Sequence, residues 1–361
     1  MGAPGMDGMS VGAVEIDGVG IERLDAERDV GWVRECFEIF SATRLANNPD
    51  APRMGRTVFE GWLRSGWVGD PREAWVLPGA GGGVGGAGDM VDGFYLLELP
   101  SRENKHLGNL EIMVHPRRRR HGVGTALLRH AAGRALTNGR RLLTGRAQLD
   151  SGGEAFARSV GAIGGLTDIR RALDLTAVPD DRFPRLRATA ERAAAGYSLI
   201  NWTAPAPEEY LDQVAAISAA FADAPHNPNV QAPVWNAARV RDTERRMELQ
   251  RLRAYTMAAR HDASGELAGL TQIEVSPEEP SWAFQGLTAV IRAHRGHRLG
   301  MLLKTAMLGL LAEAEPQLEL IVTGNAETNE HMIAINEALG YRLLGHPARS
   351  WELPAADGAQ V

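Results

Sequence analysis

Two stretches of the chain share one pattern: Val114-His-Pro-Arg-Arg-Arg119-Arg-His-Gly122-Val-Gly124 and Val290-Ile-Arg-Ala-His-Arg295-Gly-His-Arg298-Leu-Gly300. In each, an apolar run ends in a short segment rich in Gly and Arg, and the apolar spacing of a helix follows. A strand, turn and helix in this order direct backbone N–H groups and the positive end of the helix dipole to one point. The pattern therefore predicts a site for a phosphate or pyrophosphate.

The similarity extends beyond the two turns and indicates an internal duplication. Positions 114 and 290, 119 and 295, and 124 and 300 are each 176 apart, and so are Glu98 and Glu274 in the preceding apolar run. Downstream the offset becomes 179, where Leu143-Thr-Gly-Arg-Ala matches Val322-Thr-Gly-Asn-Ala. Two tandem copies of one fold are predicted.

The expected fold class is α/β. Each copy is expected to be a central, splayed sheet flanked by helices, and the sheet mixes parallel and antiparallel strands as in an α+β protein. A flexible N-terminus covers 1–18, the first copy 19–176 and the second copy 197–354. Between them, 177–196 is rich in Pro, Asp and Arg and is predicted to be a linker. The last residues, 355–361, are predicted to be a tail.

Periodicity in the second copy alternates between helix and strand patterns. Helices are expected at 208–222, 235–251, 301–314 and 330–339, and strands at 253–260, 267–275, 282–291, 318–323 and 341–344. Gly340 is expected to end the fourth helix. In the first copy, the Gly-rich stretch 78–88 lacks the Gly-Lys-Ser/Thr ending of a nucleotide loop, so a flexible hairpin loop is predicted there.

Composition places the chain among soluble globular proteins, with 44% apolar and 23% charged residues. The net charge of -6 gives no global attraction to nucleic acid or to an anionic membrane, and no apolar run is long enough to span one. A single cysteine, Cys36, suits a reducing, cytoplasmic location. The histidines lack ligand spacing, so no metal is expected. A monomer or homodimer is expected.

The order of strand, Arg-x-x-Gly-x-Gly turn, helix, strand and helix resembles the GCN5-related N-acetyltransferase (GNAT) superfamily. The tandem arrangement resembles its double-domain members, the mycothiol synthase-like proteins. Arg119-x-x-Gly122-x-Gly124 fits the family's acyl-CoA signature, whereas Arg298 stands where the second copy would have the middle glycine. The resemblance implies acetyl-CoA, or another acyl-CoA, as cofactor.

The resemblance also implies where that cofactor lies. The strand before each turn, at 110–114 and 286–290, is expected to splay from its neighbour, so that pantetheine bonds to its backbone and the diphosphate lies on the turn. The implied cofactor-binding residues are Thr288, Val290, Arg295, Gly296, His297, Arg298, Leu299, Gly300, Met301, Asn325 and Asn329 in the second copy, and Val114, Arg119, Arg120, Gly122 and Gly124 in the first.

The second copy is predicted to catalyse because it has polar side chains where the family usually has them. Asn325 ends the strand after the splay, Asn329 lies where the family bonds pantetheine, and Asn336 lies near the usual tyrosine that protonates the leaving thiolate. At the offset of 179, the counterparts in the first copy are Arg146, Asp150 and Ala157. An asparagine can donate a hydrogen bond to sulfur but not a proton at neutral pH.

Glu274 is the candidate catalytic base, since it lies on the strand beside the splay. Glu98 has the same place in the first copy, so a shared structural role is equally open. Glu111, on the splayed strand of the first copy, lies where some family members have their base, and its counterpart is Leu287. If the first copy is the active one, Glu111 is the expected base.

Two phenols lie near the expected site, Tyr255 and Tyr341, and Tyr341 is expected to pack into the core. The loops 45–60 and 222–236 are expected to form the acceptor pocket. Within the second loop, Asp223 either recognises an acceptor cation or ends a helix in an Asx turn.

The predicted function is acetyl transfer from acetyl-CoA to an amine of a small molecule, by direct attack in a ternary complex. The alternative is a non-catalytic acyl-CoA sensor or partner-binding module derived from a transferase.

Overall fold

The computed structural model describes residues 20–66, 70–79, 91–220 and 227–361. The predicted flexible N-terminus, most of the Gly-rich loop and Asp223 lie outside the described residues.

The described residues of the first copy alternate between strands and helices, with a helix following them in the predicted linker. They are β1 (Glu22–Arg23), α1 (Val30–Asn47), α2 (Arg56–Arg64), β2 (Arg72–Pro78), β3 (Val91–Glu98), β4 (Leu107–Val114), α3 (Val123–Thr137), β5 (Leu142–Gln148), α4 (Gly152–Ser159), β6 (Ile163–Asp174) and α5 (Arg182–Ala193).

The second copy repeats this order. Its elements are β7 (Tyr197–Thr203), α6 (Leu211–Ala219), α7 (Ala237–Leu249), β8 (Arg253–His261), β9 (Leu267–Val275), β10 (Trp282–Val290), α8 (Leu299–Ala314), β11 (Leu320–Ala326), α9 (Glu330–Leu339), β12 (Arg342–Leu343), β13 (Ala348–Pro354) and α10 (Ala355–Gly358). The strand predicted at 267–275 and the helix predicted at 330–339 have the observed bounds, and Gly340 ends α9 with φ 107°.

One sheet runs through both copies. Among the described residues its strands follow the order β1-β2-β3-β4-β5-β13-β6-β11-β10-β9-β8-β7, and β12 pairs with β6. Only the pairs β4–β5 and β10–β11 are parallel in this part of the chain. The mixed α/β fold and the two flanked sheets are therefore confirmed, with the addition that the two sheets are continuous.

The two copies exchange their last strands. β13 of the second copy pairs with β5 of the first, with Trp351 opposite Gly145. β6 of the first copy pairs with β11 of the second, with Arg170 opposite Gly324. β6 and β13 also pair with each other in the middle of the sheet. Each copy therefore completes its sheet with a strand from the other, and neither can be removed without breaking backbone ladders of its partner.

Alternating side chains divide the sheet into two covered faces. On the front face, α1 and α2 pack on the first copy and α6 and α7 on the second. On the rear face, α3 packs on the first copy, and α5 and α8 on the second. β4 shows the division: Leu110 belongs to the rear core, whereas Leu96, opposite Glu111 on β3, belongs to the front core. Glu111 therefore points to the front face.

The predicted linker and tail both contain structure. α5 lies within the predicted linker, and its Ala190 is fully buried in the rear core of the second copy. α10 lies within the predicted tail, and Ala355 is fully buried against the rear core of the first copy. Composition does not reveal such contacts because a few small apolar residues are enough to make them. No helix in the described ranges is long and apolar enough to cross a membrane.

Candidate functional site

The strand before each turn separates from its parallel neighbour, as expected. Pairing of β4 with β5 ends at Asn109 opposite Thr144, and pairing of β10 with β11 ends at Gln285 opposite Thr323. The backbone at 110–114 and 286–290 therefore faces a gap in the sheet. An extended ligand can hydrogen-bond to such an edge as an added strand would. β10 also carries a bulge between residues 285 and 288 that β4 lacks.

The two turns have the same backbone. Each begins with a short 3-10 helix, Pro116–Arg118 or Arg292–His294, and each then has two residues with positive φ. In the first copy these are Arg120 (φ 67°) and Gly122 (φ 80°). In the second they are Gly296 (φ 92°) and Arg298 (φ 54°). Each turn thus has one glycine and one arginine at its left-handed positions, in opposite order.

Arg298 therefore does not distort the second turn, although it replaces a glycine of the family pattern. A non-glycine residue in this conformation costs about 1–2 kcal/mol because its Cβ approaches the next carbonyl. The first copy bears the same cost at Arg120 instead. Both turns consequently keep the same backbone conformation.

The turns offer donors and space to a diphosphate. The first N–H groups of α3 and α8 have no acceptor within their own helix. A Cβ placed on Gly122 or Gly296 would meet no atom within 4 Å, so a ligand can approach the backbone there. Arg120 and Arg295 are exposed beside the turns. The residues present therefore fit the diphosphate of an acyl-CoA.

The other predicted cofactor residues differ in what they expose. The hydroxyl of Thr288 is 2.7 Å from that of Thr271 inside the protein, which leaves only its backbone for a ligand. Leu299 is buried, and the ring of His297 lies 5.3 Å from that of Tyr197. Tyr341 is buried in the core, as predicted.

A buried polar chain occupies the interior of the second copy. Lys304 Nζ donates to Asn336 Oδ1 at 2.9 Å, and Asn336 Nδ2 donates to Asn325 Oδ1 at 2.9 Å. The ammonium group also lies 5.2 Å from the ring of Tyr341. Burial lowers the pKa of Lys304 to about 7. Asn336 is 0% exposed, so a thiolate does not reach its amide in this structure.

Lys304 was missed by the sequence reasoning. It lies in α8 among Leu302, Leu303 and Thr305, which are also buried. A lysine within the apolar side of a helix was the signal that could have revealed it, since lysines are almost never fully buried without a partner.

Asn329 starts α9, and its position corrects the alignment of the two copies. Its side chain accepts from the backbone N–H three residues further on, at 3.3 Å, and Ser151 does the same at 3.3 Å at the start of α4. These two caps are 178 apart, and so are Thr144 and Val322. Thr144 pairs with Asn109 and Val322 pairs with Phe284. Asn109 and Phe284 are equivalent because they pair with Glu98 and Glu274, and the bulge in β10 accounts for their offset of 175. The offset reaches 179 only at the glycines after the helices, because α9 is longer than α4. The counterparts of Asn325, Asn329 and Asn336 are therefore Ala147, Ser151 and Arg158, and not Arg146, Asp150 and Ala157.

The corrected alignment changes how the copies compare. The first copy has a hydroxyl, that of Ser151, where the second has the amide of Asn329. The first copy therefore also keeps a polar side chain at the start of this helix. This position does not distinguish a catalytic copy from a non-catalytic one.

Glu274 and Glu98 each form an ion pair with an arginine. Arg246 Nη2 lies 2.8 Å from Glu274 Oε1, and Arg72 Nη2 lies 2.8 Å from Glu98 Oε2. All four side chains are largely buried. A carboxylate held by an arginine in both copies favours a structural role for Glu274, because its carboxylate is already engaged. Its role as base remains a prediction.

Glu111 has a different environment. Glu111 is exposed to solvent on the front face, although neighbouring protein atoms partly desolvate its carboxyl. Desolvation raises the pKa of Glu111; Arg72 opposes this, Glu98 adds to it and Arg146 opposes it. A carboxyl with a raised pKa that a small molecule can reach is a suitable general base. Its counterpart Leu287 packs against the front core of the second copy.

The chain was compared with known families and structures. A structure described as a tandem GNAT protein from the clavulanic acid biosynthesis pathway, without AcCoA, is 30% identical, with a TM-score of 0.75 over 93% of this chain and 98% of that one. This chain belongs to the GNAT family. A model of the acetyltransferase (GNAT) family matches residues 41–152, a stretch that includes Glu111 and the first turn.

Other solved structures share the fold alone. A GCN5-related N-acetyltransferase from Sphaerobacter thermophilus is 13% identical, with a TM-score of 0.65 over 95% of this chain and 97% of that one. Among curated protein sequences, none matches this chain. The predicted family and its tandem arrangement are confirmed. The protein is an N-acetyltransferase of a family that generally uses acetyl-CoA.

Proposed function

We propose that this GNAT protein transfers an acetyl group from acetyl-CoA to an amine of a small molecule, by direct attack in a ternary complex, and that the first copy carries the reaction. The observation on which this depends is Glu111, a reachable carboxyl with a raised pKa on the splayed strand. The family match over 41–152 supports the same copy.

The chemistry requires a base because an alkylamine has a pKa of about 10 and arrives protonated at neutral pH. Acetyl-CoA supplies the thioester that the neutral amine attacks: the new C–N bond replaces the C–S bond, and CoA leaves as a thiolate that takes up the proton released by the acylated nitrogen. The Glu111 carboxylate accepts the proton of the acceptor ammonium, directly or through one water. Its raised pKa makes it a stronger base than an ordinary glutamate, so the transfer is closer to balanced.

Backbone groups bind and orient the other substrate. The unpaired edge of β4 at 110–114 presents peptide groups to the pantetheine arm, and the turn ending at Gly122 presents N–H groups to the diphosphate. The strand edge and the turn follow each other directly along the chain. This supports the proposal that one CoA molecule spans both, with its pantetheine arm on the strand and its diphosphate on the turn.

The second copy is proposed to bind CoA without catalysing. Its turn has the same backbone as the first, but Asn336 is sealed inside the protein and Glu274 is held by Arg246. The sequence-based alternative, in which Glu274 and Asn336 catalyse, makes the opposite prediction for the experiment below.

The test compares two matched variants, Glu111→Gln and Glu274→Gln, with acetyl-CoA and a panel of primary amines. Thiol release measures turnover, and calorimetry with CoA measures binding. Loss of a general base lowers kcat by about a hundredfold or more, so we expect this loss in Glu111→Gln with CoA affinity retained. Full activity of Glu111→Gln together with an inactive, folded Glu274→Gln would move the reaction to the second copy.

A further inference from the structure

Three arginines stand together on the front face beside Glu111. Arg44 comes from the last turn of α1, Arg146 from the end of β5, and Arg170 from β6, the strand that the first copy lends to the second. Arg146 and Arg170 are close enough to influence each other's charge, as are Arg170 and Arg44. Arg146 also acts on the carboxyl of Glu111. The three side chains and Glu111 therefore lie near one another on the front face.

The cluster has more positive than negative groups. Arg146 Nη2 lies 2.8 Å from Asp168 Oδ2, which is its ion-pair partner. Arg44 Nη2 donates to the carbonyl of Pro52 at 3.3 Å, and its guanidinium lies 5.4 Å from the ring centroid of Phe40. Among the described residues, the side chain of Arg170 has no hydrogen-bond or ion-pair partner. Three guanidinium groups thus lie near two carboxylates, those of Asp168 and Glu111.

This arrangement is unfavourable as it stands. Desolvation lowers the pKa of Arg44 to about 10, with a contribution from Arg170. Desolvation also lowers the pKa of Arg170, followed by the effect of Arg146, and Asp168 opposes both. Like charges held close together in a cleft repel each other, and a bound anion would remove that cost. Arginine is also the side chain whose fork of donors matches carboxylate and phosphate oxygens.

A purely structural explanation fits Arg170 less well. An arginine that holds strands together would be expected to have a protein acceptor, as Arg72 has in Glu98 and Arg246 in Glu274. Arg170 is instead exposed, and the side chain of Arg146 is 54% exposed despite its ion pair. The guanidinium of Arg170 is therefore open to a small molecule.

We propose that the acceptor carries an anionic group, a carboxylate or a phosphate, near its amine, and that Arg44, Arg146 and Arg170 bind this group while the amine lies at Glu111. The acceptor class is thus an amino acid or an amino phosphate rather than a neutral amine. This assignment depends on the proposed function, in that the first copy receives the amine, but the anion site itself can be tested by binding alone.

The first experiment uses pairs of amines that differ only in the anionic group. Phenylalanine and phenylalaninamide, and lysine and lysinamide, test the carboxylate; phosphoethanolamine and ethanolamine test the phosphate. Calorimetry on the full chain with saturating CoA measures binding, and thiol release from acetyl-CoA measures kcat/KM. We expect the anionic member of at least one class to bind and react about tenfold better or more than its neutral partner.

Equal binding of the anionic and neutral members in every pair would overturn the anion site, whatever the turnover. Turnover of neutral amines without that preference would leave the acetyltransferase proposal standing and this one refuted. Preferred binding of the anionic members with no turnover of any amine would support the anion site and refute the proposed function. The class with the larger ratio separates carboxylate from phosphate.

The second experiment assigns the site to these arginines. Arg170→Gln removes the guanidinium without a protein partner, and Arg185→Gln, on the exposed surface of α5, is its matched control. We expect Arg170→Gln to weaken binding of the preferred anionic amine about tenfold or more, while its neutral partner and CoA bind as before. An equal loss for both members of the pair, or an equal loss in Arg185→Gln, would contradict the assignment.

Discussion

The two copies agree in backbone and differ in what fills the space around it. Both have a splayed strand and a turn with two left-handed residues. In the first copy the splayed strand carries Glu111, which is exposed on the front face. In the second, Leu287 takes that place, and a polar chain runs from buried Lys304 through Asn336 to half-buried Asn325. The proposed diphosphate turn and the proposed catalytic base are therefore separable, because the first is made by backbone and the second by one side chain.

Removing the exchanged strand should have the largest effect on this comparison. Truncation after residue 347 deletes β13 and α10, which include Trp351 and Leu353 of the core. Because β13 lies between β5 and β6, both copies lose backbone partners. We expect no cooperative unfolding transition in calorimetry. A truncated chain with a sharp transition in which either copy resists proteolysis would show that the copies fold independently.

The pH dependence of catalysis should separate the two candidate bases. Since the pKa of Glu111 is raised, kcat/KM should increase with pH through an inflection above the usual range of a glutamate, because only the carboxylate accepts a proton. The inflection should disappear in Glu111→Gln, whose activity is about a hundredfold lower or more, and stay in Glu274→Gln. An unchanged profile in Glu111→Gln would exclude Glu111 as the base.

The buried lysine should make stability depend on pH. The pKa of Lys304 is about 7 in the folded chain and near 10.5 in the unfolded one, so the unfolded state binds more protons between these values. The free energy of unfolding therefore rises with pH in this window, by on the order of 1 kcal/mol per pH unit.

Lys304→Met should remove this rise, as measured by urea unfolding between pH 7.5 and 9. The chain has one other lysine, and Lys105→Met, on the exposed surface, is the matched control. A parallel rise in Lys304→Met and the parent chain would mean that the amine is not buried uncharged.

The left-handed arginines should give the smallest effect. Arg298→Gly should stabilise the chain by about 1 kcal/mol, because glycine adopts positive φ without the Cβ clash. Gly122→Ala should destabilise it by a similar amount at the equivalent position of the first turn. Thermal unfolding compares the two. The unfolding temperature is expected to rise in Arg298→Gly and to fall in Gly122→Ala. A change in the same direction in both variants would refute the equivalence of the turns.

Much of the fold could be predicted because local hydrophobic periodicity and the internal repeat determine it. The strand at β9, the helix α9 and the Gly340 cap each depend on a few neighbouring residues. The strand exchange has no such signal: β6 and β13 have the same pattern whichever copy they pair with, and only the whole assembly decides. The roles of α5 and α10 were missed for the same reason.

The site, like the fold, could be predicted only where it depends on neighbouring residues in the sequence. The turns follow from glycine and arginine spacing, and Glu111 was identified as the alternative base from its place before the first turn. Alignment by sequence put Asn336 opposite Ala157, one residue from the structural match at Arg158, because the length change between the copies lies within a helix. The convergence of Arg44, Arg146 and Arg170 depends on the exchanged strand, so no sequence pattern could show it.

The exchange of last strands also constrains how this molecule can evolve. A duplicated enzyme with independent halves can lose the idle half without penalty. Here a mutation that unfolds either half withdraws a strand from the other. On the proposed division of labour, the second half therefore stays under selection for its shape although it carries no catalytic base.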